Sequence, residues 1–348
     1  MAVTIYDIAR KAGVGIGTVS RAINNHPHVS PQTRERVLQI IKEMKYQPHA
    51  MARGLARKKT NMIAVIVPVF TGYFFLEVLK GVQQAVIRDH YDLLLYSIDQ
   101  SEKTDQFLKK TLREKRVDGV LLISLNISEQ FAEYFLDSEF PIVLVDSYHS
   151  QLDSITVMNE QGALIATEHL LGLGHRRVGM IDGQLKSSPA QVRLRGYKKA
   201  LEGRGFPFDD RLLVISDIIS GQDGFNREAG YRAMQRLLDL GEDRPSAVFV
   251  SSDIQAAGAI KALHDHGLRV PEDMAIVGFD DVEIAEYLDL TTMRQPMFEM
   301  GQLAVQRLVA KIEGRAEDRF EKHFETQLIV RSSCGKKQSE YTHSRHSV

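Results

Sequence analysis

Over the first 45 residues apolar positions recur at helical spacing. Ile5, Ile8, Ala9 and Ala12 fall on one face. Thr4 precedes them and Asp7 follows three positions later, the spacing of a capping box. Gly13 suits the left-handed residue that ends such a helix. A second run follows, with Val19, Ala22 and Ile23 inward and Thr18, Ser20, Arg21 and Asn24 outward. Ser30-Pro31, a cap residue followed by proline at the first helical position, opens a third helix. Its buried stripe is Val37, Leu38, Ile40, Ile41 and Met44, and it ends near Tyr46-Gln47-Pro48. Residues 49–60, HAMARGLARKKT, are basic and rich in small residues, with Gly54 weakening any helix there, and read as a hinge.

From residue 61 the pattern changes. Continuous Val/Ile/Leu runs alternate with amphipathic stretches: IAVIVPV, LLLYSI, GVLLIS and IVLVD, then VGMID, LLVIS, AVFVSSD and AIVGFDD. Helices are predicted around 160–172, 190–203, 225–239, 253–266 and 298–313. Unbroken apolar strands between helices predict parallel sheets covered on both faces, here two successive doubly wound α/β lobes. Residues 336–348 lack apolar periodicity and are expected to be a disordered tail.

Charge sharpens the reading of the first segment. Residues 1–60 carry 11 Lys and Arg against 3 acids, a net of +8, so in a chain with 44 basic and 45 acidic residues the remainder carries −9. A basic three-helix head on an acidic body is the electrostatic footprint of a nucleic-acid module joined to something else. Two helices around a short glycine turn, the second polar and basic on its free face, describe a helix-turn-helix. The glycines of GVGIGTVS also suggest a phosphate loop, but such a loop follows a strand, and this one follows the helical IYDIARKA.

Length and composition set further bounds. At 348 residues, two or three domains of ~100–200 residues are expected. The longest apolar run, MIAVIVPVF, falls far short of the ~20 residues that cross a bilayer. No apolar leader precedes Thr4 and Cys334 is the lone cysteine, so a cytoplasmic location without disulfides is expected. His264-Asp265-His266 sits at a helix end where adjacent side chains diverge, so neither a metal nor a cofactor is expected. No nucleophile–base arrangement or carboxylate pair demands catalysis, so the chain does not read as an enzyme. The alternatives, a sugar-processing enzyme or an exported solute-binding protein, lack a phosphate loop after a strand and an export signal respectively.

The chain resembles the lac/purine repressor family of bacterial transcriptional regulators. The resemblance rests on TIYDIARKAGV, GTVSRAIN, ARGLA, KRVDGVLLIS, HLLGLGHRRVGMIDG, RLRGYKKAL, RPSAVFVSSDIQAAGAIKAL, GLRVPEDMAIVGFDD and LTTMRQP, in that order along nearly the whole chain. It implies a helix-turn-helix head at 1–47 and a hinge helix at 48–60. It further implies a two-lobed core like a periplasmic sugar-binding protein, with one lobe at 61–160 plus 293–322 and the other at 161–292 plus 323–335. A homodimer on palindromic double-stranded DNA, controlled by a small-molecule effector, is the implied assembly.

The resemblance also assigns residues. Ile16, Gly17 and Arg21 occupy base-reading positions. Arginine can bond guanine O6 and N7 together, isoleucine can touch a thymine methyl, and glycine offers no side chain. Thr4, Tyr6, Ser20, Asn24, Ser30 and Thr33 match phosphate-contacting or orienting positions. Leu55 matches a minor-groove wedge, flanked by the basic Arg53 and Arg57. In the cleft, Arg193 and Asp280 match two polar anchors, although a surface helix charge and a helix cap are their structural alternatives. Phe74, Phe75 and Phe225 match positions that line or stack on the ligand, or fill core. Ser124, Asp146, Ser147, Ser252, Asp253 and Gln295 complete the carried-over set. Serine, aspartate and arginine around a cleft suit a sugar. The phenylalanines suit a purine or nucleoside corepressor, but Ser147 stands where purine-binding members carry a large aromatic. A carbohydrate is the favoured effector.

Overall fold

The computed structural model describes residues 3–23, 25–46, 59–69, 72–98, 105–106, 108–109, 114, 116–219, 223–316 and 318–335. Asn24, Arg53, Leu55 and the 336–348 tail lie outside these residues. The chain divides into two compact units, Met1–Asn61 and Met62–Val348.

The first unit contains α1 (Ile5–Ala12), α2 (Ile16–Ile23) and α3 (Pro31–Glu43). The capping box forms as its spacing predicts. The Asp7 amide donates to Thr4 Oγ1 at 3.4 Å, and the Thr4 amide donates to Asp7 Oδ2 at 3.0 Å. Gly13 ends α1 at φ 65°. Ser30 caps α3, its Oγ accepting from the Thr33 amide at 3.3 Å. Ile8, Ala9, Ala12, Val19, Ala22, Val29, Val37 and Ile40 form one small core. Leu38 does not join the expected stripe; it is 45 % exposed, because the face turned inward is that of Val37, Ile40, Ile41 and Met44.

The second unit holds two six-stranded sheets. Its elements run β1 (Met62–Val67), α4 (Tyr73–Arg88), β2 (Asp92–Ser97), β3 (Gly119–Ile123), α5 (Glu129–Ser138), β4 (Ile142–Val145) and β5 (Asp153–Val157). Next come α6 (Asn159–Gly172), β6 (Val178–Asp182), α7 (Ser188–Gly203), β7 (Leu213–Ile215), α8 (Arg227–Leu238), β8 (Ala247–Val250), α9 (Asp253–Asp265) and β9 (Ala275–Asp280). The last elements are α10 (Glu283–Tyr287), β10 (Thr291–Arg294), α11 (Met297–Ile312), β11 (Glu321–Phe324) and β12 (Gln327–Ile329). The first sheet has the order β11-β5-β4-β3-β1-β2 and is parallel throughout; the second has the order β12-β10-β9-β8-β6-β7, with only β12 antiparallel to its neighbour. The fully buried runs of β3, β4, β6, β8 and β9 are what helices on both sheet faces demand.

The chain crosses between the sheets after β5, after β10 and after β11. β10 pairs with β9 through Arg294, two residues past the expected boundary at 292/293. β11 pairs with β5 through Phe324, two residues past the boundary at 322/323. The bounds implied by the resemblance thus fall inside both strands, whose ends are set by their ladder hydrogen bonds in this chain. β5 and β10 were also absent from the apolar pattern. Their buried polar residues are satisfied internally: Asp153 accepts from Arg307 Nε at 2.6 Å and from the Phe320 amide at 2.9 Å. Thr291 Oγ1 likewise accepts from the Arg331 amide at 2.9 Å.

Candidate functional site

Two surfaces concentrate the chemistry, one in each unit. In the head, α2 projects Ile16, Gly17 and Arg21 from an exposed face. Val19 and Ala22 anchor the opposite face in the three-helix core. The Gly15 carbonyl accepts from the Thr18 and Val19 amides at 2.8 and 3.1 Å, so glycine starts this helix. Ile16 is 39 % exposed. Arg21 lies back along its own helix, Nε donating to the Gly17 carbonyl at 3.0 Å. Tyr6 is 64 % exposed and Thr4 is also at the surface, although the Thr4 hydroxyl donates to Asp7 at 2.7 Å. That bond, with the backbone one, holds the Asp7 carboxyl below its ordinary range. The Ser30 hydroxyl donates to Thr33 Oγ1 at 2.9 Å, so this pair is committed to the start of α3. Sequence reasoning did not single out Arg34, whose Nη2 donates to the His26 carbonyl at 2.7 Å and ties the loop after α2 to α3.

In the core, the C-terminal ends of several strands meet at one buried polar cluster, the place where open α/β sheets present ligands. Asp146 follows β4, Asp182 ends β6 and Asp280 ends β9. Arg193, 3 % exposed on α7, is their shared counter-charge. Its Nε donates to Asn159 Oδ1 at 2.8 Å and its Nη1 to the Ser251 carbonyl at 2.6 Å. The guanidinium carbon sits 3.9 Å from the centroid of the Phe279 ring. This arginine is therefore not a surface helix charge. Ser124 Oγ donates to Asp146 Oδ2 at 2.6 Å, and Gln295 Nε2 donates to Asp280 Oδ1 at 2.6 Å.

The cluster is electrostatically and sterically costly. Burial raises the Asp146 carboxyl to about 6, against the Ser124 bond and the Arg193 charge. Burial likewise raises Asp182 to about 7, although Ser251, the Gly183 amide and Arg193 favour its charged form. Asp280 rises to about 7 through burial and the neighbouring Asp146, opposed by Arg193 and Gln295. Asp146 Oδ1, Ser147 Oγ, Asp182 Oδ2 and Gln295 Oε1 are buried without a hydrogen-bond partner. Ser124, Asp146 and Asp280 have φ of 52°, 54° and 128°, a backbone region that strains residues other than glycine. Unpaired acceptors, buried charge and backbone strain coincide at these strand ends, which is the physical signature of a binding site.

The remaining cleft candidates divide. The Phe225 ring lies against Gly183, beside Asp182, so closely that a Cβ on that glycine would overlap it. Phe74 and Phe75 meet edge to face at 5.6 Å near the start of α4 and are half-buried against the first lobe's core. Ser252 and Asp253 are engaged within the second lobe. The Ser252 hydroxyl caps α9, accepting from the Gln255 amide at 3.3 Å. Both Asp253 oxygens are used inside the second lobe, one by Thr292 Oγ1 at 2.5 Å and the other by the Val282 amide at 3.0 Å. Asp253 is thus a pin between α9, β10 and the loop after β9, and its wholly buried carboxyl is pushed well up by desolvation and by Asp280.

Sequence reasoning missed Asp182, Asn159 and Phe279. Asp182 carried a usable signal: it ends an apolar strand exactly as Asp146 follows one and Asp280 ends another. Among the described residues no group of three or more His, Cys, Asp or Glu side chains could hold a metal ion, and no helix is long and apolar enough to cross a membrane.

Comparison with known proteins agrees with a DNA-binding head joined to an α/β core. Residues 4–49 match the model of the lacI family of bacterial regulatory proteins, and residues 167–334 match the periplasmic binding protein-like domain. The chain is 36 % identical over 316 residues to catabolite control protein A of Priestia megaterium, covering 89 % of this chain and 92 % of that one. It is 36 % identical over 343 residues to the ribose operon repressor of Haemophilus influenzae, covering 97 % and 99 %. The structure of the lac repressor dimer bound to operator and the anti-inducer ONPF superposes with a TM-score of 0.81 at 28 % identity, covering 96 % of this chain and 99 % of that one. The chain belongs to the LacI family and is a DNA-binding transcriptional regulator, a helix-turn-helix head joined to a periplasmic-binding-protein-like core.

Proposed function

We propose that this regulator is an operator-binding repressor whose DNA affinity is set by an uncharged carbohydrate held between its two α/β lobes. The observation that carries the effector class is the surplus of unpartnered acceptors at the strand ends: Asp146 Oδ1, Asp182 Oδ2 and Gln295 Oε1. A polyol supplies hydroxyl donors to all three, and the forked guanidinium of Arg193 serves its oxygens in return. A purine brings ring-nitrogen acceptors, which this acceptor-rich cluster with a single cation serves poorly, so the sugar reading is favoured. Phe225, on Gly183 beside Asp182, gives the sugar an apolar face.

On DNA, Arg21 swings from the Gly17 carbonyl to a guanine and Ile16 meets a thymine methyl. Leu55, flanked by Arg53 and Arg57, wedges the minor groove at the centre of a palindromic site, which requires a homodimer. The assembly works in the cytoplasm. Ligand binding biases the arrangement of the lobes, and operator affinity shifts only by the ligand's differential affinity for the two states, typically ~1–3 kcal/mol.

The test is selection of inverted-repeat sites by the purified full chain, followed by titration of the selected site with and without a sugar panel. Selection of a palindrome, a steep fall in affinity with salt and a sugar-dependent shift absent in Arg193→Ala support the reading. Sequence-indifferent binding, or a selected site unaffected by any sugar, overturns it.

A further inference from the structure

At the end of β9 the backbone is forced into a conformation its residues resist. Asp280 and Asp281 have φ of 128° and 59°, and neither is glycine. Consecutive strained residues persist only where their surroundings over-determine them. Here each residue of the segment has its own anchor. Asp280 is bonded twice to Gln295, its Oδ1 accepting from Nε2 at 2.6 Å and its carbonyl from the Gln295 amide at 3.1 Å. Asp281 meets two arginines: Oδ2 accepts from Arg294 Nε at 2.6 Å, and Oδ1 from Arg331 Nη2 at 2.7 Å. Val282 gives its amide to Asp253 and its side chain to the first lobe's apolar core.

The two arginines stand where the lobes are joined. Arg294 ends β10, and Met297, which opens α11 after the second crossing, is buried in the first lobe's core. Arg331 follows β12, on the segment by which the chain has returned from β11 after the third crossing. It is itself fastened to the start of β10, its Nη1 donating to the Leu290 carbonyl at 2.7 Å and its carbonyl accepting from Thr291 Oγ1 at 3.0 Å. One carboxylate thus ties the outgoing crossover to the returning one, beside the residue that plugs the first lobe. The Asp281 side chain is 6 % exposed, Arg331 15 % and Arg294 46 %. A buried ion pair adds little net stability over an apolar substitute. Breaking one leaves an uncompensated charge, so the pair holds a single geometry.

We propose that Asp281 is a positioning residue that fixes the mutual arrangement of the two lobes. Clamped by Arg294 and Arg331, it holds Asp280 against Gln295 on one side and Val282 in the first lobe on the other. The consequence for DNA rests on the reading above, in which lobe arrangement sets operator affinity.

The experiment measures the interlobe distance in the full chain by double electron–electron resonance. Spin labels enter through Glu133→Cys and Glu202→Cys, at exposed sites in α5 and α7, and labelled chain is diluted into unlabelled chain. Cys334 is buried and takes no label. Arg294→Met should widen the distance distribution. Asp281→Asn should widen it further, since asparagine keeps a side chain that tolerates the left-handed backbone and loses the charge. Arg294→Lys, which retains a cation, should return the distribution most of the way to wild type. Ligand-free Asp281→Asn should also shift at least ~5-fold in affinity for the palindrome that the wild-type chain selects, the lower end of typical allosteric coupling. Distributions that match wild type in both Arg294→Met and Asp281→Asn overturn the proposal even if melting temperatures fall, because a merely structural brace acts on melting alone. Arg294→Met, at a half-exposed side chain, decides the matter if Asp281→Asn does not fold. A widened distribution with unchanged operator affinity supports the clamp and removes the link from lobe arrangement to DNA.

Discussion

Asp182 sets stability against binding, and Asp182→Asn separates the two. The wild-type carboxylate accepts from the Gly183 amide at 2.8 Å and from Ser251 through Oδ1, while Oδ2 is buried without a partner. Burial raises it from 3.8 to about 7. A carboxyl raised in the folded state favours folding least where it must be ionised, so its contribution falls as pH climbs from about 4 through 7. At 1.36 kcal/mol for each pH unit between the two values, keeping the charge costs roughly 4 kcal/mol at pH 8 and ~1.5 kcal/mol at pH 5. Asparagine keeps the Oδ1 acceptor and the shape, and removes the charge. The variant should therefore gain about 2–3 kcal/mol more stability at pH 8 than at pH 5, read by denaturant unfolding of the full chain at both pH values. The same change places an amide donor where a sugar hydroxyl would donate, so effector affinity should fall about 10- to 100-fold, by the worth of a lost charged hydrogen bond. An equal stability change at both pH values would refute the burial argument. A stabilised variant with undiminished affinity would show that Oδ2 does not face the ligand.

Other residues make separable predictions. Arg21→Ala should remove about 1–3 kcal/mol of discrimination at one base pair while leaving non-specific binding nearly intact, as read by competition with point-substituted sites. Thr4→Ala should unfold the head about 1 kcal/mol more easily through the lost cap, measured by circular dichroism on full-length protein against a core-only melting transition that does not move. Asp253→Ala strands the Val282 amide and the Thr292 hydroxyl, and should destabilise the core by roughly 2–4 kcal/mol at pH 7; a variant that melts like wild type but fails to bind sugar would return Asp253 to the ligand set. Gly258→Ala drives a methyl into the Arg227 carbonyl where α8 and α9 cross, so it should lower the core melting temperature and leave DNA contacts alone.

The head was legible almost to the residue because its signals are local. Thr4, Asp7, Gly13, Ser30 and Pro31 each act within one helical turn, and one turn of sequence is enough to read them. The apolar strands were legible because burial on both faces leaves little room for polar residues. β5 and β10 were not, since Asp153 and Thr291 are buried against partners more than a hundred and about forty positions away, and no local window contains Arg307 or Arg331. At the site, residue type alone did not separate the cluster's members from their neighbours. Ser252 and Asp253 sit one strand end away from Asp182, with the same residue types after the same apolar run. What separates them is where their oxygens point: the Asp253 carboxylate turns into the lobe, toward Thr292 and Val282, whereas Asp182 Oδ2 meets nothing.

That difference bears on how the two lobes respond to a ligand. Two contacts join the lobes: Val282 packs into the first lobe's apolar core, and Asn126 Nδ2 donates to the Lys186 carbonyl at 3.3 Å. The strand ends are strained at Ser124, Asp146 and Asp280 and leave a buried acceptor unpaired at Asp146, from one lobe, and at Asp182, from the other. A ligand bonded only within one lobe would relieve those acceptors without altering the balance between lobe arrangements, and by linkage would leave operator affinity unchanged. A ligand that satisfies Asp146 and Asp182 together gains both bonds only in the arrangement that brings them within reach, and its differential affinity is of the order of one charged hydrogen bond, ~1.5–3 kcal/mol. That matches the coupling typical of allosteric sites, ~1–3 kcal/mol. Asp146→Asn and Asp182→Asn should thus each weaken sugar binding and, in the same proportion, the sugar's effect on operator affinity, while the double variant still binds DNA and no longer responds. A double variant whose operator affinity still shifts with sugar would place the coupling elsewhere in the cleft.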